Sequence, residues 1–149
     1  MPMSEDGLRK MVEQSIAFVA RSGLTAPELR PGRVKCRMPL KGNENHIGTM
    51  YAGALFTLAE IPGGALSMTS FDMSRTYPIV KSMDISFLKP AQSDITIEIG
   101  LDQAEIQRIQ TEAESRGKSE FVLEGELRDQ NREIVAISRG IYQLRRIDR

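Results

Sequence analysis

Glu60 is the residue whose type and setting most strongly suggest chemistry. It is the one formally charged residue between Ile47 and Phe71. A carboxylate in an apolar segment loses hydration, which raises its pKa unless hydrogen bonds or a nearby cation compensate. Such a group can act as a general base that activates water, or as a nucleophile. The alternative is a structural glutamate that faces a solvent gap or pairs with Lys81 or an arginine.

The segment before Glu60 predicts a helix start with free backbone donors. The apolar run from Ala52 to Ala59 follows a polar loop. The first turn of a helix leaves its N–H groups without intrahelical partners, and the helix dipole adds positive potential there. The N–H of Ala52 could therefore stabilise a developing oxyanion. The same residue could also simply begin the helix, and Gly53 could serve close backbone packing.

Asn45 and His46 lie in that loop and are polar candidates for the same site. Asparagine is equally common as a turn or capping residue. His46 is the single histidine of the chain. Its ordinary pKa permits acid–base work, but a lone histidine in a loop is more often a surface or structural residue.

Composition excludes several classes of site. One cysteine, Cys36, allows no disulfide within the chain, and with one histidine it cannot form a typical zinc site. Twenty basic residues balance twenty acidic ones, so nothing predicts a nucleic-acid partner. Residues 1–6 lack a signal-peptide pattern, and no uninterrupted apolar run reaches membrane-spanning length. We expect a cytoplasmic protein without a cofactor.

The order of predicted elements indicates an α+β domain. One helix is expected over about 7–21, followed by an irregular stretch that contains Pro27 and Pro31. A buried helix is expected over about 51–69, with a kink or break near Glu60 because of Pro62. Alternation of apolar residues predicts strands at 33–39, 77–88, 94–101, 120–128 and 134–144, with an extra helix at 102–117 between Asp102 and Gly117.

A helix that is apolar on all sides needs a sheet curved around it. The pattern therefore predicts one domain, residues 1–149, with a curved antiparallel sheet wrapped around the long central helix. Dimerisation would complete the core or cover an edge strand.

This order is that of the hotdog fold, and two segments resemble its phenylacetyl-CoA thioesterase branch. In the segment from Asn45 to Glu60, the acid follows the asparagine by 15 positions and a Leu-Ala pair precedes it. The segment from Met83 to Ala91 is similar to the family's second strand, which ends in Pro-Ala. The extra helix looks like that of a poorly characterised subgroup.

The resemblance implies roles for particular residues. Glu60 would be the catalytic acid, Asn45 would lie near the attacking water or the thioester, and Ala52 would polarise the thioester carbonyl through its N–H. Family sites lie between subunits, so Glu60 of one subunit would work with Asn45 and Ala52 of another. Substrate-binding positions would be His46, Tyr51, Gly53, Val80, Lys81 and Ser82.

Two departures from the family pattern separate the hypotheses. The family's His-Gly-Gly turn is Tyr51-Ala52-Gly53 here, and its early hydroxyl in the second strand aligns with Val80. The first hypothesis is an acyl-CoA thioesterase that hydrolyses a fatty or aromatic thioester, with coenzyme A as part of the substrate. The second is a hotdog protein that binds an acyl-CoA or lipid without turnover. Either would form a homodimer, or a homotetramer built from two dimers, and an acyl carrier protein could replace coenzyme A.

A hotdog 3-hydroxyacyl dehydratase is a weaker third reading. His46 precedes Glu60 by 14 positions, which is close to the His–acid spacing of that group. The chain lacks the group's His-Phe-Pro and Pro-Gly-Val segments, and has His46-Ile47-Gly48 and Ala52-Gly53-Ala54 instead.

Overall fold

The sequence forms one sheet and four helices across the residues that the structure describes. The computed structural model describes residues 3–148, so positions 1, 2 and 149 of the predicted domain lie outside it. The strands are Thr25–Arg30 (β1), Arg33–Met38 (β2), Thr76–Phe87 (β3), Ile95–Gly100 (β4), Lys118–Arg128 (β5) and Ile134–Arg146 (β6). The helices are Glu5–Gln14 (α1), Ala17–Ser22 (α2), Ala52–Ser70 (α3) and Gln103–Arg116 (α4).

The sheet is antiparallel throughout, in the order β1-β2-β4-β5-β6-β3. The strand β5 alternates strictly between exposed and buried residues from Lys118 to Leu127. This period of two gives the sheet one apolar face, which is the face that must be covered. At 12 residues, β3 is a long edge strand with a partner on one side only.

Helix α3 covers the apolar face and contacts all six strands. Leu58 and Leu66 are almost fully buried, at 0% and 1% exposure. Burial of a leucine side chain contributes roughly 1.5–3 kcal/mol. The helix therefore holds the core together and fixes the position of Glu60, which lies near its middle.

Pro62 does not break α3, contrary to expectation. The helix runs continuously from Ala52 to Ser70 with Pro62 inside it and buried. Proline removes one backbone N–H and so one helical hydrogen bond. Packing against the sheet stabilises a helix more than propensity does, and here it outweighs that loss.

The stretch that contains Pro27 is a strand, also contrary to expectation. β1 pairs with β2, and the register shifts between Thr25 and Glu28. Proline cannot donate to a ladder, so within sheets it is confined to edges and bulges, and Pro27 lies at both. Ala26 and Leu29 are buried, which explains why the segment joins the sheet.

The expected helix over residues 7–21 is divided into α1 and α2. Ile16 adopts an extended conformation, with φ −104° and ψ 117°. The Ser15 N–H and hydroxyl both donate to the Met11 carbonyl, which closes the last turn of α1. The division brings Met11, Ser15 and Ile16 over the middle of α3.

Helix α4 begins and ends where the sequence indicates. The Asp102 carboxylate accepts a hydrogen bond from the Glu105 N–H at 2.8 Å, and Gly117 ends the helix at φ 93°. Both are ordinary helix-terminus interactions. The helix buries Ile106, Ile109 and Ala113.

Candidate functional site

Glu60 lies in an apolar cavity between α3, the α1–α2 junction and the start of β3. The cavity has a volume of about 430 Å³ and is lined on α3 by Glu60, Ile61, Gly64, Ala65 and Met68. These residues follow the i, i+4, i+8 spacing of one helix face. Apart from Glu60 and Ser15, every residue of its lining is apolar.

The Glu60 carboxyl is half-buried, and no cation of the described residues compensates its charge. Burial raises its pKa above the usual range of a glutamate. Glu60 takes part in none of the ion pairs formed among residues 3–148. The predicted alternative of a pair with Lys81 or an arginine is therefore not what the described residues show. A carboxylate with a raised pKa is a stronger base than an ordinary glutamate, which suits it to accept a proton from water.

Tyr142 lies beside Glu60 and is hydrogen-bonded to it. Its hydroxyl donates to the backbone carbonyl of Glu60 at 3.4 Å. Burial, and then the negative charge of Glu60, raise the pKa of Tyr142 above its usual value, so the phenol stays protonated. It can therefore hold the α3 backbone at Glu60 in place as a neutral donor.

The start of α3 presents two free backbone donors. The N–H groups of Ala54 and Leu55 bond to the Tyr51 carbonyl. Among residues 3–148 no acceptor lies within hydrogen-bond distance of the N–H groups of Ala52 and Gly53. The Tyr51 ring packs over Gly53, where an added Cβ would meet it at 2.4 Å. Glycine at 53 thus allows the ring to lie close to these donors.

Asn45 builds the loop that leads into α3. Its Oδ1 accepts from the N–H groups of Ile47 and Thr49, at 3.0 and 3.1 Å. Its Nδ2 donates to Thr49 Oγ1 at 2.8 Å, which leaves one amide hydrogen for another acceptor. His46 is exposed at the tip of this loop.

The three predicted positions on β3 lie at an irregularity in that strand. The register with β6 shifts between Val80 and Ser82, which leaves Lys81 without a partner in the ladder. Bulges of this kind re-aim side chains at sheet edges. All three residues are exposed, and Val80 pairs with Tyr142, the residue that bonds to the Glu60 carbonyl.

Within one protomer, the structure does not bring Ala52 and Glu60 together. They are eight residues apart on α3, and a rise of 1.5 Å per residue separates them by roughly 12 Å along the axis. Tyr51, Ala52 and Gly53 lie together at the helix start, and Asn45 and His46 lie in the loop before it. A reaction that uses both Glu60 and the Ala52 N–H therefore needs a second copy of the chain.

Sequence reasoning missed much of the cavity around Glu60. Gly64 could have been found from its helical spacing to Glu60. Met11, Ile16 and Pro78 come from other elements and carry no local signal.

Two further findings limit the kinds of site present. Within residues 3–148, no group of three or more His, Cys, Asp or Glu side chains could hold a metal ion. In the same part of the chain, every helix is too short or too polar to cross a bilayer.

Similar structures confirm the hotdog fold. A protein of unknown function from Pseudomonas aeruginosa, described as a "probable thioesterase", is 56% identical, with 99% of each chain covered and a TM-score of 0.95. A thioesterase from Haemophilus influenzae is 13% identical, over 98% of this chain and 93% of its own, with a TM-score of 0.76. A variant of a thioesterase from Staphylococcus aureus is 17% identical, over 87% and 99%, with a TM-score of 0.71. The last two show the fold alone, which is the predicted curved antiparallel sheet with a central helix.

Sequence comparison places the chain in a family whose activity is undefined. No curated protein matches it. Residues 5–141 match the family described as a domain of unknown function, DUF4442, and the chain belongs to that family.

Proposed function

We propose that this protein hydrolyses acyl thioesters to a free acid and the thiol of coenzyme A or of an acyl carrier protein. One observation carries the proposal: the Glu60 carboxyl lies in an apolar cavity, forms no ion pair with any residue of 3–148, and has a pKa that burial raises. The likeness to the P. aeruginosa protein described as a probable thioesterase supports the same class of reaction.

The proposed reaction uses Glu60 as a general base. Ionised Glu60 takes a proton from a water molecule while the water oxygen attacks the thioester carbonyl carbon. The carbonyl oxygen becomes an oxyanion, and backbone N–H donors such as those of Ala52 and Gly53 stabilise its charge. The C–S bond then breaks, and the thiolate leaves and takes up a proton. The products are the carboxylic acid and the thiol. Direct attack by Glu60 to give a mixed anhydride is the alternative route.

We propose that the working unit is a dimer. The distance of roughly 12 Å between Ala52 and Glu60 requires the oxyanion donors to come from a partner. β3 offers a long open edge, and its neighbourhood exposes Tyr77, Val80 and Phe87 at 43%, 42% and 51%. Unpaired strand edges are templates for pairing with another chain. A second copy on this edge would lie beside the bulge at Lys81 and so close to Tyr142 and Glu60.

The dehydratase reading has less support. His46 is exposed on the loop before α3 and is not among the residues that line the Glu60 cavity, so, like Ala52, it could act with Glu60 only across a dimer. The chain also lacks the His-Phe-Pro and Pro-Gly-Val segments of the dehydratase group. A dehydratase needs the histidine and the acid to act on one substrate. The thioesterase needs only Glu60 and backbone donors.

The test is thiol release from straight-chain and aromatic acyl-CoA substrates. Glu60→Gln keeps the shape of the side chain and removes the base, so we expect a loss of at least 100-fold in kcat. Glu124→Gln changes an exposed glutamate on the outer face of β5 and serves as the matched control. Equal rates for wild type and Glu60→Gln would remove Glu60 from the mechanism.

Binding without turnover is the second candidate, and the Asn45 geometry favours it. Three of the hydrogen-bonding positions of that carboxamide are used within the loop, so it has little capacity left to position water. Saturable acyl-CoA binding with no thiol release across the whole panel would establish this candidate in place of hydrolysis.

A further inference from the structure

A second cavity lies next to the one that contains Glu60. It has a volume of about 920 Å³ and lies between α1, β1 and the end of α3. Its lining is mainly apolar and includes Leu8, Leu29 and Phe71, with the charged residues Glu5, Arg30 and Asp72 also on its wall. Met11, Met68 and Met73 line both cavities, so these three methionines lie between them.

The space beside α3 is open at Gly64. A Cβ built at Gly64 would find no heavy atom of the described residues within 4 Å. Gly64 lies one helical turn beyond Glu60, and Met68 lies one turn further on the same face. Open space, with an acid at one end and flexible methionines at the other, therefore runs along a single helix face.

We propose that the first cavity binds the acyl chain of the thioester, and that Met11, Met68 and Met73 set the accepted chain length. This inference rests on the proposed thioester chemistry at Glu60 and specifies its substrate as a linear aliphatic acyl group. The apolar lining suits such a chain because it offers no partner to a polar substituent beyond Glu60 and Ser15. The chain runs from the carbonyl beside Glu60 past Gly64 towards the methionines.

The dimensions indicate a chain of medium length. From Glu60 to Met68 the helix rises roughly 12 Å. An extended chain of single bonds covers about 1.2 Å per bond, so roughly ten carbons fit before the methionines. Methionine side chains are flexible and polarizable, which lets them form an end wall that substitution can open. Behind that wall, the second cavity has room for further methylenes.

The experiment measures kcat/KM for thiol release from saturated acyl-CoA substrates of increasing length. For the wild type we expect a maximum near ten carbons. Gly64→Leu places a side chain in the open space beside Glu60 and should move the maximum to shorter chains. Met68→Ala opens the second cavity and should raise the ratio of long-chain to medium-chain kcat/KM at least tenfold, since each newly buried methylene is worth roughly fourfold.

The matched control is Met83→Ala. Met83 is also partly buried, but it lies on β3 outside both cavities, so the same substitution there should leave the length profile unchanged. Circular dichroism and thermal unfolding verify that each variant is folded. Should Gly64→Leu misfold, Gly64→Val provides a smaller obstruction with the same expected direction.

A binding measurement separates this inference from the proposed function. Displacement of a fluorescent fatty-acid probe by free fatty acids reports on the cavity without any turnover. If thiol release occurs but Gly64→Leu and Met68→Ala keep the wild-type length profile, the chain lies elsewhere and the inference is overturned while hydrolysis stands. If there is no thiol release but displacement depends on chain length and shifts in Met68→Ala, hydrolysis fails and the cavity assignment stands. Loss of both overturns both.

Discussion

The ring of Tyr142 occupies the space that a side chain at Gly63 would need. A Cβ built at Gly63 would lie 2.3 Å from Cζ of that ring, whereas one built at the next residue, Gly64, meets no heavy atom of the described residues within 4 Å. Two adjacent glycines in one helix therefore have different reasons to be small. Gly63 allows close packing of α3 on β6, and Gly64 leaves the cavity beside Glu60 open.

This contrast predicts opposite effects of the same substitution. Gly63→Ala should lower the free energy of unfolding by about 1–3 kcal/mol, because the ring or the helix must move. Gly64→Ala should raise it by up to about 1 kcal/mol, because alanine is the better helix former. Urea unfolding followed by circular dichroism measures both. If the two variants were equally stable, Tyr142 would not pack as described.

Ala52→Pro should remove one oxyanion donor while leaving the fold intact. Proline is well tolerated at the first position of a helix, since the N–H that it lacks has no helical partner there. Tyr51 already has φ −59° and ψ 139°, which is the conformation that a residue before proline prefers. We expect a fall in kcat of roughly 100- to 1,000-fold with little change in melting temperature. Ala52→Gly keeps the N–H and is the control. Full activity in Ala52→Pro would show that this N–H takes no part.

Mixing two inactive variants tests whether the site is shared between subunits. Glu60→Gln and Ala52→Pro protomers should complement each other, because a mixed dimer contains one site with both Glu60 and the Ala52 N–H intact. With random exchange of subunits, roughly a quarter of the wild-type activity should return. Each variant assayed alone gives the baseline. A mixture no more active than that baseline, despite subunit exchange shown by mass spectrometry, would place both groups outside a shared site.

The sequence predicts the sheet and the core helix well because their signals are local. The alternation from Phe121 to Leu127 and the absence of a polar face between Ala52 and Ala59 are each visible in a short window. The acid in the cavity, Glu60, stands out for the same reason. The predictions are wrong where packing overrides local preference. Pro62 stays within a continuous α3, and Pro27 lies in a paired edge strand instead of an irregular stretch. The cavity walls contributed by Met11 and Pro78 depend on contacts distant in sequence, which no local pattern reports.

Ionisation of the Glu60 carboxyl should lower the free energy of unfolding as the pH rises. Burial raises its pKa in the folded state above its unfolded value, so the folded protein holds this proton more tightly. Below the pKa that Glu60 has in the unfolded chain, its contribution to the free energy of unfolding is complete. That contribution is lost as the pH rises through the pKa of Glu60 in the folded protein. Glu60→Gln stays neutral, so its melting temperature should exceed that of the wild type increasingly as the pH rises above the ordinary pKa of a glutamate. The wild-type hydrolysis rate should rise over the same range as the base ionises. A constant difference in melting temperature across this range would mean that the carboxyl is solvated as in the unfolded chain.

Cys36 should be unreactive in the folded protein. It lies on β2 with 0% exposure, and burial, followed by the charge of Glu13, raises the pKa of its thiol to about 12. The thiolate is the reactive species, so at pH 8 very little of it exists and reagents cannot reach it. We expect no labelling of native protein by a thiol-reactive dye within minutes, and one labelled thiol per chain in guanidinium chloride. This also means that thiol release from acyl-CoA can be followed without background from the protein. Native labelling at the rate of the unfolded chain would contradict the burial of β2 beneath α3, on which the position of Glu60 depends.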